Sequence, residues 1–130
     1  MSEPSSYFGS SFLRPIIPVT IKHGTKEIRY AALVDSGADF NIFHADIAEA
    51  IGIDVQSGEP INFGGIHAQS GAIGYFHEVG LEVGGHPYTT RVAFSWDIAS
   101  HGHGVLGQRG FFEYFKVIFH YQKGEVELKN

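Results

Sequence analysis

Chemistry is possible in this sequence where the apolar run Ala31-Ala32-Leu33-Val34 leads straight into Asp35-Ser36-Gly37-Ala38. A carboxylate, a hydroxyl and a glycine then share a tight turn at the end of a buried segment. A carboxylate held there can act as a general base toward water or, when protonated, as a general acid. The tripeptide Asp-Ser-Gly is equally the composition of an ordinary Asx turn, so alone it does not make a site. Other chemistries fall away by residue type. The chain has no cysteine, which removes thiolate nucleophiles and disulfides. Ser36 has no recognisable base beside it in sequence and is not read as a nucleophile. His101-Gly102-His103 offers two imidazoles in one loop, but without thiolates or a His-Glu-x-x-His helix no metal site is expected. Gly64-Gly65 lies in no phosphate-binding fingerprint and reads as pliable backbone over a cleft.

The elements that must position Asp35 follow from periodicity. Ile16–Ile21 and Glu27–Val34 read as two strands about a His23-Gly24-Thr25 turn. The second begins with alternation and ends as a continuous apolar run, as a strand does on passing from surface to core. A short helix is expected over Ala45–Ile51, with Ile47 and Ile51 on one face and Gly52 as its stop. Pro60–Phe63 precedes the Gly64-Gly65 break. Ile73–Val83 reads as a long strand interrupted by Gly74 and Gly80, turning at Gly84-Gly85 into a return strand, Tyr88–Phe94. Gly110–Phe115 is expected to form one helical turn. Val117–Tyr121 and Glu125–Leu128 are expected to form a last hairpin about Lys123-Gly124.

Composition bounds the rest. The 130 residues carry 17 glycines and 11 phenylalanines, which favours strands and tight turns over long helices. Apolar residues make up 43 % and charged residues 18 %, enough for a core and too apolar for wholesale disorder. A net charge of −5 with scattered Lys and Arg argues against a nucleic-acid surface. Neither a membrane-length apolar run nor a signal peptide is legible, so no membrane association is expected and a cytoplasmic location is favoured. Residues 1–11 read as a loose arm, and residues 12–130 as a single, mostly-β domain.

A second motif gives the acidic turn its context. Val105-Leu106-Gly107 is an apolar pair closed by glycine, followed by a Phe-rich turn and the terminal hairpin, with the glycine-broken stretch Phe63–Phe76 between the two motifs. That order resembles the retropepsin-like aspartic proteases, single-domain relatives of pepsin that include the retroviral enzymes. Gly110-Phe111-Phe112-Glu113-Tyr114-Phe115-Lys116-Val117 is similar to bacterial members. The likeness runs from about Pro15 to Leu128, though Gln108-Arg109 stands where the family often has Arg-Asp or Arg-Asn.

The resemblance implies an all-β closed barrel with a flap hairpin and one or two short helices. It implies that Asp35 is the catalytic carboxylate, in an active-site turn with Ser36, Gly37 and Ala38. The Ser36 hydroxyl is expected to bond the partner subunit's backbone. Asp39, Phe63, Gly64, Gly65, Ile66 and Val105 are implied to contact substrate from flap and floor, and Leu106 and Gly107 to support the turn from beneath. Asp39 is expected to be a structural carboxylate, with Arg109 its candidate partner. Since Asp39, Asp46, Asp54 and Asp97 lack the motif, the second catalytic carboxylate must come from another copy of the chain. The expected activity is endopeptidase cleavage of a peptide or protein by an obligate homodimer, without a cofactor. The other reading is a retropepsin-fold binding or scaffold domain without turnover.

Overall fold

The computed structural model describes residues 15–63, 71–99, 102–120 and 122–129. The arm at 1–11, the flap residues Gly64, Gly65 and Ile66, the polar tip at His67, Gln69 and Ser70, and His101 lie outside them.

Strands β1 (Ile16–His23) and β2 (Lys26–Val34) pair antiparallel through the turn at Gly24, with Ile16 opposite Leu33 and His23 opposite Lys26. Val19 and Ile21, two apart on β1, are both buried, and β2 is buried only at Ala32, Leu33 and Val34. The strand therefore enters the core where its apolar run predicts. After the acidic turn come β3 (Asn41–His44) and helix α1 (Ala45–Ala50). The helix is capped by His44, whose Nδ1 accepts from the Asp46 amide at 3.0 Å. Ile47 and Ile51 are both buried, on the face that their i, i+4 spacing predicts. A 3-10 turn over Val55–Ser57 leads into β4 (Glu59–Phe63). Strands β5 (Ala72–Val83) and β6 (His86–Ser95) form a long hairpin, followed by the short β7 (Gly104–Leu106). Strands β8 (Lys116–His120) and β9 (Glu125–Lys129) form a separate two-stranded sheet.

The main sheet runs β1-β2-β7-β3-β6-β5-β4, and a further β1–β5 pairing closes the first six into a barrel with β4 outside it on β5. Closure leaves those strands without open edges and encloses a core that includes Phe43, Phe94, Phe111, Ile21 and Leu106, all fully buried. Two parallel pairings, β2 with β7 and β3 with β6, cross the barrel where it meets the acidic turn.

One expectation needs correction, and one strand was not foreseen. Gly74 and Gly80 do not interrupt β5, which runs unbroken through both. They are sites of close approach: a Cβ on Gly74 would lie 3.1 Å from Phe63 Cε1, and one on Gly80 would lie 3.3 Å from Lys22 Cβ. Strand β3 is not legible from alternation, because polar Asn41 and His44 sit at buried positions in a four-residue element. The expected turn after Gly110 is a single one, in which Phe111 O accepts from the Tyr114 and Phe115 amides at 2.9 and 3.1 Å.

Candidate active site

The turn at Asp35 is held from two sides. The Val34 amide donates to Pro15 O at 2.9 Å, and the Asp35 amide donates to Leu106 O at 3.0 Å, extending the parallel β2–β7 ladder by one bond. The chain then reverses. Asp35 O accepts from the Ala38 amide at 3.1 Å, and Asp35 Oδ1 accepts from the Gly37 amide at 2.9 Å. This is the Asx-type geometry that the residue types favour. The half-buried carboxylate is thus fixed by its own turn, and among the described residues no protein group bonds its other oxygen. Ser36 and Gly37 are exposed beside it and Ala38 is half-buried.

The apolar-apolar-glycine motif lies directly against this turn. Leu106 is fully buried, and half-buried Val105 stands opposite Ile42 of β3. Gly107 is buried where no side chain fits: a Cβ there would meet Ala38 O and Phe40 O at 2.7 Å and Phe40 N at 2.8 Å, all backbone. Beyond it, the Gln108 amide donates to Ala38 O and the Arg109 amide to Asp39 O, both at 2.9 Å, and Phe40 and Arg109 form a parallel bridge. The expected Asp39–Arg109 partnership is a backbone one. Asp39 is exposed, and no side-chain ion pair joins the two among the described residues.

Two residues that hold this arrangement escape a reading for catalytic motifs. Gln108 Nε2 donates to Ser36 O at 2.7 Å, clamping the turn from the neighbouring segment. Asn41 has 0 % exposure and ties three backbone positions: its Oδ1 accepts from the Gly107 amide at 3.0 Å, and its Nδ2 donates to Gly110 O at 3.0 Å and Arg91 O at 3.3 Å. A buried amide is tolerated only when its donors and acceptors are matched, as here. The available signal was a polar residue inside Phe40-Asn41-Ile42-Phe43. Gly110, at φ +96°, has a carbonyl that also accepts from Tyr88 OH at 2.8 Å and Thr90 Oγ1 at 3.0 Å. Burial raises the Tyr88 hydroxyl well above its usual pKa, helped by the charges of Tyr114 and Glu113.

Phe63 reaches the site through an aromatic chain. Its ring meets Phe40 edge-on at 6.0 Å, and Phe40 meets Phe76 at 5.1 Å. β4 and β5 pair from Glu59 opposite Phe76 to Phe63 opposite Ala72, so Phe63 and Phe76 lie on two paired strands. Ser95 Oγ donates to Ile73 O at 2.7 Å and the Ile73 amide donates to Asp97 Oδ2 at 2.9 Å, fastening the start of β5 to the end of β6 and the residues that follow it. Among the described residues there is no cluster of three or more His, Asp or Glu able to hold a metal, and no helix is long and apolar enough to cross a membrane.

The chain is similar in structure to EIAV protease, solved in complex with the inhibitor HBY-793, at a TM-score of 0.53 and 18 % identity over 79 % of this chain and 88 % of that one. No family model and no curated protein matches the sequence. At that identity the likeness is one of fold: the closed β-barrel is retropepsin-like.

Proposed function

We propose that this chain is an aspartic-type endopeptidase acting as a homodimer, with Asp35 from each copy forming the catalytic pair. One observation carries the reading: the Asp35 carboxylate sits half-exposed in a turn bonded to its own Gly37 amide and to β7, within a retropepsin-like barrel. Peptide hydrolysis needs a base to deprotonate water and an acid to protonate the carbonyl oxygen as the tetrahedral intermediate forms. Two adjacent carboxyl groups sharing one proton supply both, because like charges that close do not both ionise; aspartic proteases are the standard case. Collapse of the intermediate breaks the C–N bond as the amine takes a proton from the pair. Neither a cofactor nor a covalent intermediate is required.

The sequence holds a single Asp-Ser-Gly turn, so the reading takes the second carboxylate from another copy of the chain. Asp46 lies in the first turn of α1, Asp54 precedes the 3-10 turn, and Asp97 holds the Ile73 amide. Two-fold pairing of identical turns brings one Asp35 to the other. In that dimer Ser36 and Gly37 lock the paired turns, and the exposed Ser36 hydroxyl is free to bond across the axis. Substrate lies extended as an added strand, with Asp39, Val105 and Phe63 on the floor and hairpin base, and Gly64, Gly65 and Ile66 folding over it as a flap.

Asp35→Asn tests this reading. Incubation of native protein with a peptide library between about pH 3 and pH 7 is expected to give cleavage that the variant lacks and that a pepstatin-type inhibitor blocks. The variant's dimer, measured by solution mass, is expected to persist. Absence of cleavage by the native protein at concentrations where it is dimeric would instead support a non-catalytic binding domain.

A further inference from the structure

A cleft of about 210 Å³ opens beside the aromatic cluster at the hairpin base, lined in part by Phe40, Phe76, Arg91, Arg109, Glu113 and Tyr114. Its charged groups differ in one respect. Glu59 stands opposite Phe76 in the β4–β5 ladder and Arg91 stands diagonal to Phe76 across β5–β6, so the three form one row. Arg91 spends its charge within that row, bonded to Glu59 and lying 4.3 Å over the Phe76 ring. Glu113 is drawn to the floor, where its Oε1 accepts from the Gly110 amide at 2.7 Å. Arg109, brought beside Phe40 by the parallel bridge, is exposed and has no carboxylate partner among the described residues. The cleft therefore combines aromatic walls, a floor braced by the Gly110 carbonyl network with the Glu113 carboxylate bonded to it, and a guanidinium, that of Arg109, with no ion-pair partner among the described residues.

We propose that this cleft is a subsite for an acidic side chain of a bound peptide, with Arg109 taking the carboxylate and Phe40 and Phe76 packing against its stem. The inference rests on the protease reading for what the peptide is, and on the cleft alone for its chemistry. A guanidinium presents donors in a planar fork that matches a carboxylate, so neutral or basic side chains lose the pairing. The cleft adjoins the segment that clamps the acidic turn, since Arg109 follows Gln108 directly. An acid anchored there would sit to one side of the reacting bond, selecting sequence without joining the chemistry.

The test is binding rather than turnover. Fluorescent peptides with acetylated and amidated ends, differing only by Glu, Gln or Lys at each position in turn, are titrated into the Asp35→Asn protein by anisotropy. At one position Glu is expected to bind about tenfold tighter than Gln. Arg109→Gln is expected to erase that ratio, Arg109→Lys to keep part of it, and Arg109→Glu to shift the preference to Lys. A Glu-to-Gln ratio unchanged by Arg109→Gln overturns the proposal, as does the absence of any acid-dependent binding. Leaving the peptide ends free separates a second carboxylate source: if only a free C-terminus confers the Arg109-dependent affinity, the side-chain assignment is wrong. Acid-selective binding without cleavage by the native protein would sink the protease reading while leaving the cleft intact. Cleavage without acid preference would do the reverse.

Discussion

At the scale of single residues, the site depends on groups that support Asp35 without touching it. Asn41 is the clearest case, because its loss strands the buried Gly107 amide as well as opening space in a fully buried position. Asn41→Ala is expected to lower stability by about 3 kcal/mol, read from the urea midpoint at constant slope. A change within about 0.5 kcal/mol would mean the amide is not the tie it is drawn as. Gly107→Ala forces a methyl against three backbone atoms that cannot rotate away, so a loss of about 2 kcal/mol or more is expected in the same measurement. Asp35 and Val105-Leu106-Gly107 were legible in the sequence because an acidic turn after an apolar run and a glycine-closed apolar pair are local patterns. Asn41 and Gln108 were not, since each owes its role to a partner far along the chain, Gly107 in one case and Ser36 in the other.

At the scale of elements, alternation and turn residues predicted β1, β2, β5, β6 and the terminal hairpin, and the i, i+4 spacing predicted α1. They missed β3, whose identity comes from its partners β6 and β7 rather than from its own four residues. They also mistook Gly74 and Gly80 for breaks, because a glycine demanded by a crossing side chain looks the same in sequence as one that ends a strand. The bond from Tyr88 on β6 to the Gly110 carbonyl couples that strand to the segment following the turn. Its hydroxyl is shifted upward by burial, so the folded state keeps the proton where the unfolded chain would release it. The resulting stability is fully present below the ordinary tyrosine pKa of 10.0 and is lost as pH rises beyond it. Tyr88→Phe is therefore expected to be less stable than the native protein at neutral pH by about 1 kcal/mol, and to show a shallower alkaline decline in melting temperature. Parallel declines in the two proteins would contradict this account of Tyr88.

At the scale of the whole molecule, the barrel encloses its own core, yet the site it presents holds half of the proposed catalytic pair. The closed topology was expected from the resemblance to retropepsin-like proteases, but the parallel β2–β7 and β3–β6 pairings within it are long-range and carry no local signature. The central claim is that two Asp35 side chains from different copies make one active site. Co-refolding native and Asp35→Asn chains in equal amounts, then assaying at a fixed total concentration well above dissociation, tests this most directly. Random pairing leaves only about a quarter of the dimers with two carboxylates, so activity is expected to fall to about a quarter of that of the native protein. Activity that falls only to a half would mean each protomer hydrolyses peptide on its own, and the shared-proton mechanism would be wrong.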